Sequence, residues 1–359
     1  MVKIWAISFS HYNPPYDPPT STAYDNQLTS KDPFQKILRT VGMRSPLLAL
    51  VCLLQLPLIC PPCQAQSEKP QQQTSWNEGP LISCESLAKK LEAPELVLLD
   101  LGPERELYEE GHLPGALFVD WVDDITDPAQ PARYQLIDRT AMQKLLRKLG
   151  INRDSRIVIY DDLNSRISIR MYWSLKYYGI TRVQLLDGGR NAWTAANRPL
   201  EQAIRKPIPS EVVLKPGNNK ISANLDFIAD RLQNPNVSLI DGRPADQFSG
   251  NQPGKVFHTG ALHQRKGHIP GAINIFWKDN FNGDGTFKTQ SELEKLYQSV
   301  TGSDQIVTYC NEGLHATPPW FVLSEILGHG DVRVYDSSLS EWANTEQPLE
   351  TSPAKAPEK

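Results

Sequence analysis

The residue with the clearest chemical potential is Cys310. It ends the apolar, β-branched run Ile306-Val307-Thr308-Tyr309 and is followed by Asn311-Glu312-Gly313-Leu314-His315-Ala316-Thr317, then Pro318-Pro319-Trp320-Phe321. Proline is tolerated in the first turn of a helix, so Thr317 and the prolines read as a helix start. The thiol therefore stands at a strand's C-terminal end, on a tight loop running into a helix. Backbone N–H groups and a helix dipole at such a junction lower a thiol's pKa and hold a thiolate or a bound anion. A lone cysteine is commonly a buried structural side chain. Placement where open α/β sheets carry their sites favours a nucleophile instead. A thiolate nucleophile splits one transfer into two displacements through a covalent intermediate and requires neither a metal nor an organic cofactor. The N–H groups of residues 311–315 are then expected to face the sulfur, in the manner of an oxyanion hole.

The elements that must position this loop occur twice. Leu96-Val97-Leu98-Leu99-Asp100 is echoed by Val237-Ser238-Leu239-Ile240-Asp241, and Gly111-His112-Leu113-Pro114-Gly115-Ala116 by Gly267-His268-Ile269-Pro270-Gly271-Ala272. Ile157-Val158-Ile159-Tyr160-Asp161 pairs with Ile306-Val307-Thr308-Tyr309-Cys310, and Asp187 and Trp193 pair with Asp336 and Trp342, all at one offset of 149 residues. A repeat of this length is a duplicated domain. Thr140 with Gln143, and Thr289 with Glu292, read as capping boxes that open amphipathic helices. Five-residue strands apolar on both faces, alternating with helical stretches, predict an α/β fold: two tandem domains, each a parallel β-sheet flanked by helices on both faces. The expected boundaries are 80–197 for the first domain, 198–220 for a linker, 221–347 for the second and 348–359 for a tail. The first copy carries Asp161 at the cysteine position.

Composition narrows the function classes. The chain has 359 residues, 40% hydrophobic and 22% charged, with a formal charge of −4, which argues against a duplex nucleic-acid binder. No apolar run approaches the ~20 residues of a membrane-spanning helix. Residues 1–65 read as a leader. Met43-Arg44 precedes the apolar stretch Leu47–Ile59, and Cys63-Gln64-Ala65 offers small residues for a cut before Gln66. That is the pattern of a secretory signal beginning at Met43, so an exported protein is expected, periplasmic or secreted. Export removes Cys52, Cys60 and Cys63 and leaves Cys84 and Cys310. Asn280-Phe281-Asn282-Gly283-Asp284-Gly285 hints at a calcium loop, but Ser291 stands where the bidentate Glu belongs, so a turn is expected and no metal is assigned.

The ordered set of motifs resembles the rhodanese family, the tandem-domain thiosulfate and 3-mercaptopyruvate sulfurtransferases, over nearly all of residues 80–347. Tyr108–Ala116 fits its first signature, Gly267–Ala272 repeats the core of it, and Val332–Trp342 resembles its C-terminal signature with Ser337 and Leu339 departing. The resemblance implies an inactive first domain, a catalytic second one and two rhodanese-like folds. Cys310 then takes sulfane sulfur from a small donor as a persulfide and passes it to a thiol or cyanide. Asn311, Glu312, Gly313, Leu314, His315 and Gln247 are the expected substrate-binding residues, supported by Asp241 and Arg243. No cofactor and no nucleic-acid partner is implied, and a monomer is expected. Thiosulfate-specific members carry cations at the positions of Glu312 and Gln247, so weak thiosulfate turnover is expected, and Glu312 should raise the thiol's pKa. His315 is either an imidazolium partner or proton shuttle, or a solvent-facing loop side chain. The insertion Ser249–Lys266, with His258, His263, Arg265 and Lys266, is expected to be a solvated loop; the other reading is an overhang that supplies cations. A cysteine phosphatase is disfavoured because Ala316 and Thr317 occupy the place of its loop arginine. The alternative outside enzymes is a catalytically weak persulfide carrier or interaction module on the same scaffold.

Overall fold

The structure, a computed structural model, describes residue 76 and residues 79–351 apart from 103, 128–134 and 257–259. The leader with Met43, the tail beyond 351 and His258 lie outside the described residues. The first half holds β1 (Leu81–Ile82), α1 (Cys84–Ala88), β2 (Leu96–Asp100), α2 (Arg105–Glu110) and β3 (Ala116–Phe118). A short antiparallel pair, β4 (Thr126–Asp127) and β5 (Gln135–Leu136), follows. It is completed by α3 (Arg139–Lys148), β6 (Arg156–Tyr160), α4 (Arg166–Tyr177), β7 (Val183–Leu186) and α5 (Gly189–Ala195). The second half repeats the order with β8 (Ser222–Ala223), α6 (Leu225–Ala229), β9 (Val237–Asp241), α7 (Ala245–Phe248) and β10 (Ile273–Asn274). It continues with α8 (Gln290–Tyr297), β11 (Gln305–Tyr309), α9 (Thr317–Phe321), β12 (Val332–Tyr335) and α10 (Ser338–Trp342).

Both main sheets are parallel, with orders β1-β7-β6-β2-β3 and β8-β12-β11-β9-β10. The two orders are the same under the sequence repeat, and so is the register: Asp100 faces Tyr160 as Asp241 faces Tyr309. The strands are apolar on both faces because both faces are covered. One face of each sheet closes a private cluster, around Trp193 in the first half and Trp342 in the second. The other faces share a single core that runs from Trp173 and Tyr172 to Trp320 and Phe321. Tyr172 meets Phe321 edge-on at 4.9 Å, and its hydroxyl donates to Glu325 at 2.7 Å.

The repeated aspartates lock the two halves together reciprocally. Asp187 accepts from the backbone N–H of Phe287 at 2.9 Å, and Asp336 from that of Leu136 at 2.9 Å. Arg170, almost fully buried, pairs with Asp336 across the same boundary. This explains why an acidic side chain follows the last strand of each copy.

One local expectation needs correction. The cap of α3 is Asp138, whose carboxylate accepts from Ala141 N–H at 2.8 Å, two residues before Thr140. Gln143 is drawn away to the linker, where it accepts from Leu214 N–H at 3.0 Å. The second box forms as read, with Thr289 N–H donating to Glu292 at 3.0 Å. Residues 280–285 make a turn: Phe281 bridges Phe287, and Asp284 accepts from the backbone and hydroxyl of Thr286. Among the described residues no group of three or more metal-ligating side chains gathers, and no helix is long and apolar enough to cross a membrane.

Candidate active site

Cys310 follows directly on β11, the centre of the second sheet, and is 1% exposed. The amide N–H groups of Glu312 and His315 donate to its sulfur. The loop is held open around it by Ser338. That hydroxyl accepts from Cys310 N–H at 3.0 Å and Gly313 N–H at 3.1 Å, and donates to Tyr335 O at 2.7 Å. Ser338 adopts a left-handed backbone (φ 50°), the conformation of its counterpart Gly189 (φ 56°) in the first copy. An L-residue there costs on the order of 1 kcal/mol, and the three hydrogen bonds offset it. Gly313 has φ 84°, and a Cβ on it would stand 2.4 Å from the carbonyl oxygen of Asp336.

The first copy shows the same loop filled by its own side chain. Asp161 Oδ1 accepts from Leu163 and Ser165 N–H, both at 2.8 Å, and Oδ2 from Ile167 at 3.0 Å and Ser168 at 2.8 Å. Leu163 and Glu312 are equivalent in the repeat, and each donates inward. The loop shape is thus a nest for an electron-rich atom, occupied by a carboxyl group in one half and a sulfur in the other.

The thiol's pKa moves opposite to the expectation from its junction. Burial pushes it up to about 11; the Glu312 carboxylate and Asp241 push the same way, against the two amides. The reading from local sequence weighed the helix dipole, but α9 starts seven residues beyond the sulfur, and desolvation dominates. Glu312 acts in the expected direction. The thiolate fraction should therefore keep growing through the alkaline range. Alkylation of Cys310 by iodoacetamide is expected to accelerate about tenfold per pH unit between about pH 8 and 10, without a plateau. Glu312→Gln, by removing a negative charge, should shift that profile to lower pH; a plateau below about pH 8 in the wild type would contradict the assignment.

Cys310 lines a pocket of about 380 Å³ together with Arg166, Pro244, Gln247, Lys255, Phe276, Trp277, Lys278, Asn311, Glu312, Leu314 and His315. Gly313 stands behind the loop, against Asp336. Gln247 does not stand in as a cation: its side-chain oxygen accepts from Asn311 at 2.9 Å, and Asn311 also donates to Lys255 O at 2.8 Å. Asp241 and Arg243 form a buried pair at 2.6 Å, and Arg243 donates further to Gly267 O at 2.7 Å. His315 is neither an imidazolium nor a solvated side chain. Its ring stacks on Trp277 at 4.7 Å, and burial, then Arg166 and Lys278, pull its pKa down to about 3.

Among its described residues the insertion Ser249–Lys266 is solvated in part: Lys255, Leu262 and Lys266 are exposed, while Gly254 and His263 are buried. Lys255 bridges Leu262, Gly254 passes hard against Asn311 and His263, and His263 is buried, its pKa drawn down to about 4 by burial and then by Arg243. Arg265 donates to Gln347 O at 2.8 Å, away from the sulfur. Arg166, Lys255, Phe276, Trp277, Lys278 and Ser338 escaped the sequence reading. Ser338 left a signal there, as a non-glycine where the other copy has Gly189, and Lys255 lies in the insertion whose second reading is an overhang. Cys84 opens α1 and, like Cys310, is a free thiol.

The rhodanese-like domain profile matches residues 83–196 and 225–345. The chain is 35% identical over 277 residues to the thiosulfate sulfurtransferase of Corynebacterium glutamicum, covering 76% of this chain and 90% of that one. It is 33% identical over 269 residues to the sulfur carrier protein TtuD of Thermus thermophilus, covering 74% and 93%. Its fold superposes on the 3-mercaptopyruvate sulfurtransferase SseA of Escherichia coli with a TM-score of 0.64 and 25% identity, covering 72% of this chain and 98% of that one. The chain belongs to the rhodanese family of sulfurtransferases, in the form that carries two such domains in tandem.

Proposed function

We propose that the second domain moves sulfane sulfur from a small anionic donor to a thiol or cyanide through a persulfide on Cys310. The observation that supports this reading best is the sulfur of Cys310 at the wall of a pocket, with the N–H groups of Glu312 and His315 directed onto it. With thiosulfate as donor, the Cys310 thiolate attacks the outer sulfur. The S–S bond of the donor breaks, sulfite leaves with the electron pair, and Cys–S–S⁻ forms. Cyanide or a thiolate then attacks the terminal sulfur and regenerates the Cys310 thiolate. The two amides stabilise the anionic charge on the sulfur at either stage without rearranging. His315, neutral and stacked, serves as wall, not as acid. The cations missing at 312 and 247 predict weak thiosulfate turnover, yet Arg166 and Lys278 line the pocket. A carrier would form the same persulfide without turning over, and a roomy donor pocket favours turnover.

Steady-state assays with thiosulfate, 3-mercaptopyruvate and a thiol persulfide, at several acceptor concentrations, test this reading. Parallel double-reciprocal lines are expected with at least one donor, the mark of two displacements through a covalent intermediate. Absence of turnover with all three would overturn the enzyme and leave the carrier.

A further inference from the structure

The two loops that repeat each other meet at the pocket. Arg166 occupies, in the first domain, the position that His315 occupies in the second, and both line the same pocket as Cys310. The guanidinium of Arg166 lies 5.9 Å from the Trp277 ring centre and the Lys278 ammonium 5.7 Å from it, while His315 stacks on that ring. Both cations depress the His315 pKa, so their fields converge on one wall of the pocket. Lys255 lines the same pocket from the insertion through its carbonyl, which accepts from Asn311, while its side chain runs along Gly260. Against the Arg166 and Lys278 charges the pocket wall sets the carboxylate of Glu312, and Arg166 also feels those of Asp161 and Asp162. Arg166 is also the first residue of α4, at the positive end of a twelve-residue helix, where a cation is disfavoured. Its loop is fixed there by the four amides on Asp161 and by left-handed Asn164 and Ser165 (φ 57° each). A local rule broken with the surrounding loop so firmly anchored marks a functional position.

We propose that Arg166, contributed by the domain without a nucleophile, together with Lys278, binds the oxyanion end of the sulfur donor. The class of donor is one whose sulfane sulfur is attached to a sulfonyl oxyanion, thiosulfate or an organic thiosulfonate. These cations replace the positive charges absent at Glu312 and Gln247. The guanidinium fork holds two oxygens of the leaving sulfite or sulfinate while the outer sulfur points at Cys310. In the step itself the Cys310 thiolate gains the outer sulfur, the donor S–S bond breaks, and sulfite or sulfinate departs with the bonding electrons. Asp161 is then a positioning residue that acts through Arg166. This inference rests on the persulfide reading above.

The test compares wild type with Arg166→Gln, Arg166→Lys and Lys278→Gln, using thiosulfate, methanethiosulfonate and 3-mercaptopyruvate. Arg166→Gln should raise the KM for thiosulfate about 10- to 100-fold, as expected on losing a charge-assisted pair, with the loss falling on KM more than on kcat. The monoanionic thiosulfonate should lose less, and Arg166→Lys should recover part of the thiosulfate loss because charge returns without the fork. Rising salt should raise the wild-type KM for thiosulfate more than that of Arg166→Gln. An unchanged thiosulfate KM in Arg166→Gln, with wild type turning over, overturns this inference alone. A fall in kcat and melting temperature with KM unaltered assigns Arg166 a structural role and also overturns it. A KM rise confined to 3-mercaptopyruvate assigns the wall to carboxylates and overturns the sulfonyl class. Wild type that takes sulfur from no donor removes the persulfide reading itself.

Discussion

Cys310→Ser is expected to lower sulfur transfer by at least about a thousandfold, with the fold intact. Removing the nucleophile of a covalent mechanism leaves only what binding and the charge-stabilising donors provide. A serine hydroxyl fits the same volume and keeps the amides of Glu312 and His315 supplied with an acceptor, so the melting temperature should stay within a few degrees. A serine oxygen does not form a persulfide, so cyanide should release no thiocyanate from donor-treated variant and about one equivalent from wild type. The measurement is thiocyanate production in steady state and in a single turnover. Residual activity above a tenth of wild type would mean that another group carries the sulfur.

The second large effect is on stability. Asp161 is 1% exposed and satisfies four backbone N–H groups. Burial pushes its pKa up, while the amides of Ser168 and Leu163 and the Ser168 side chain pull it back. Asp161→Ala strands the four donors in the core. A stranded buried donor costs roughly 1–3 kcal/mol, partly relieved where water or backbone adjusts, so a loss on the order of 4 kcal/mol is expected. Asp161→Asn keeps one acceptor oxygen but turns an NH2 group toward amides, at about 2 kcal/mol. Urea unfolding checks both, as a lowered midpoint at similar slope. Because the loop carries Arg166, Asp161→Asn should also raise the KM for thiosulfate. A stability change below about 0.5 kcal/mol in Asp161→Ala would show that the loop finds other acceptors.

The repeat, the strand cores and the cysteine at a strand's end were legible because each is written in a few adjacent residues. Apolar runs such as Ile157–Tyr160 require cover on two faces, which already implies parallel sheets between helices. The site was half legible. Residues 310–315 and the Asp241–Arg243 pair belong to local motifs. Arg166, Lys255 and Lys278 come from the other domain, an insertion and a turn after β10, and only the packing of the two halves brings them to one pocket. The thiol's pKa was misjudged for the same reason: the dipole of a following helix can be read locally, while desolvation depends on everything packed around the sulfur. Asp138 displaced Thr140 as a cap because a capping residue is chosen by where the backbone leaves the helix, and spacing alone leaves two candidates.

The most direct measurement is the intact mass of the protein after brief exposure to the donor that supports turnover, followed by peptide mapping. The mechanism predicts a gain of about 32 Da, one sulfur atom, located on Cys310 and removed by cyanide. No gain during active turnover, or a gain that maps to Cys84, would contradict it.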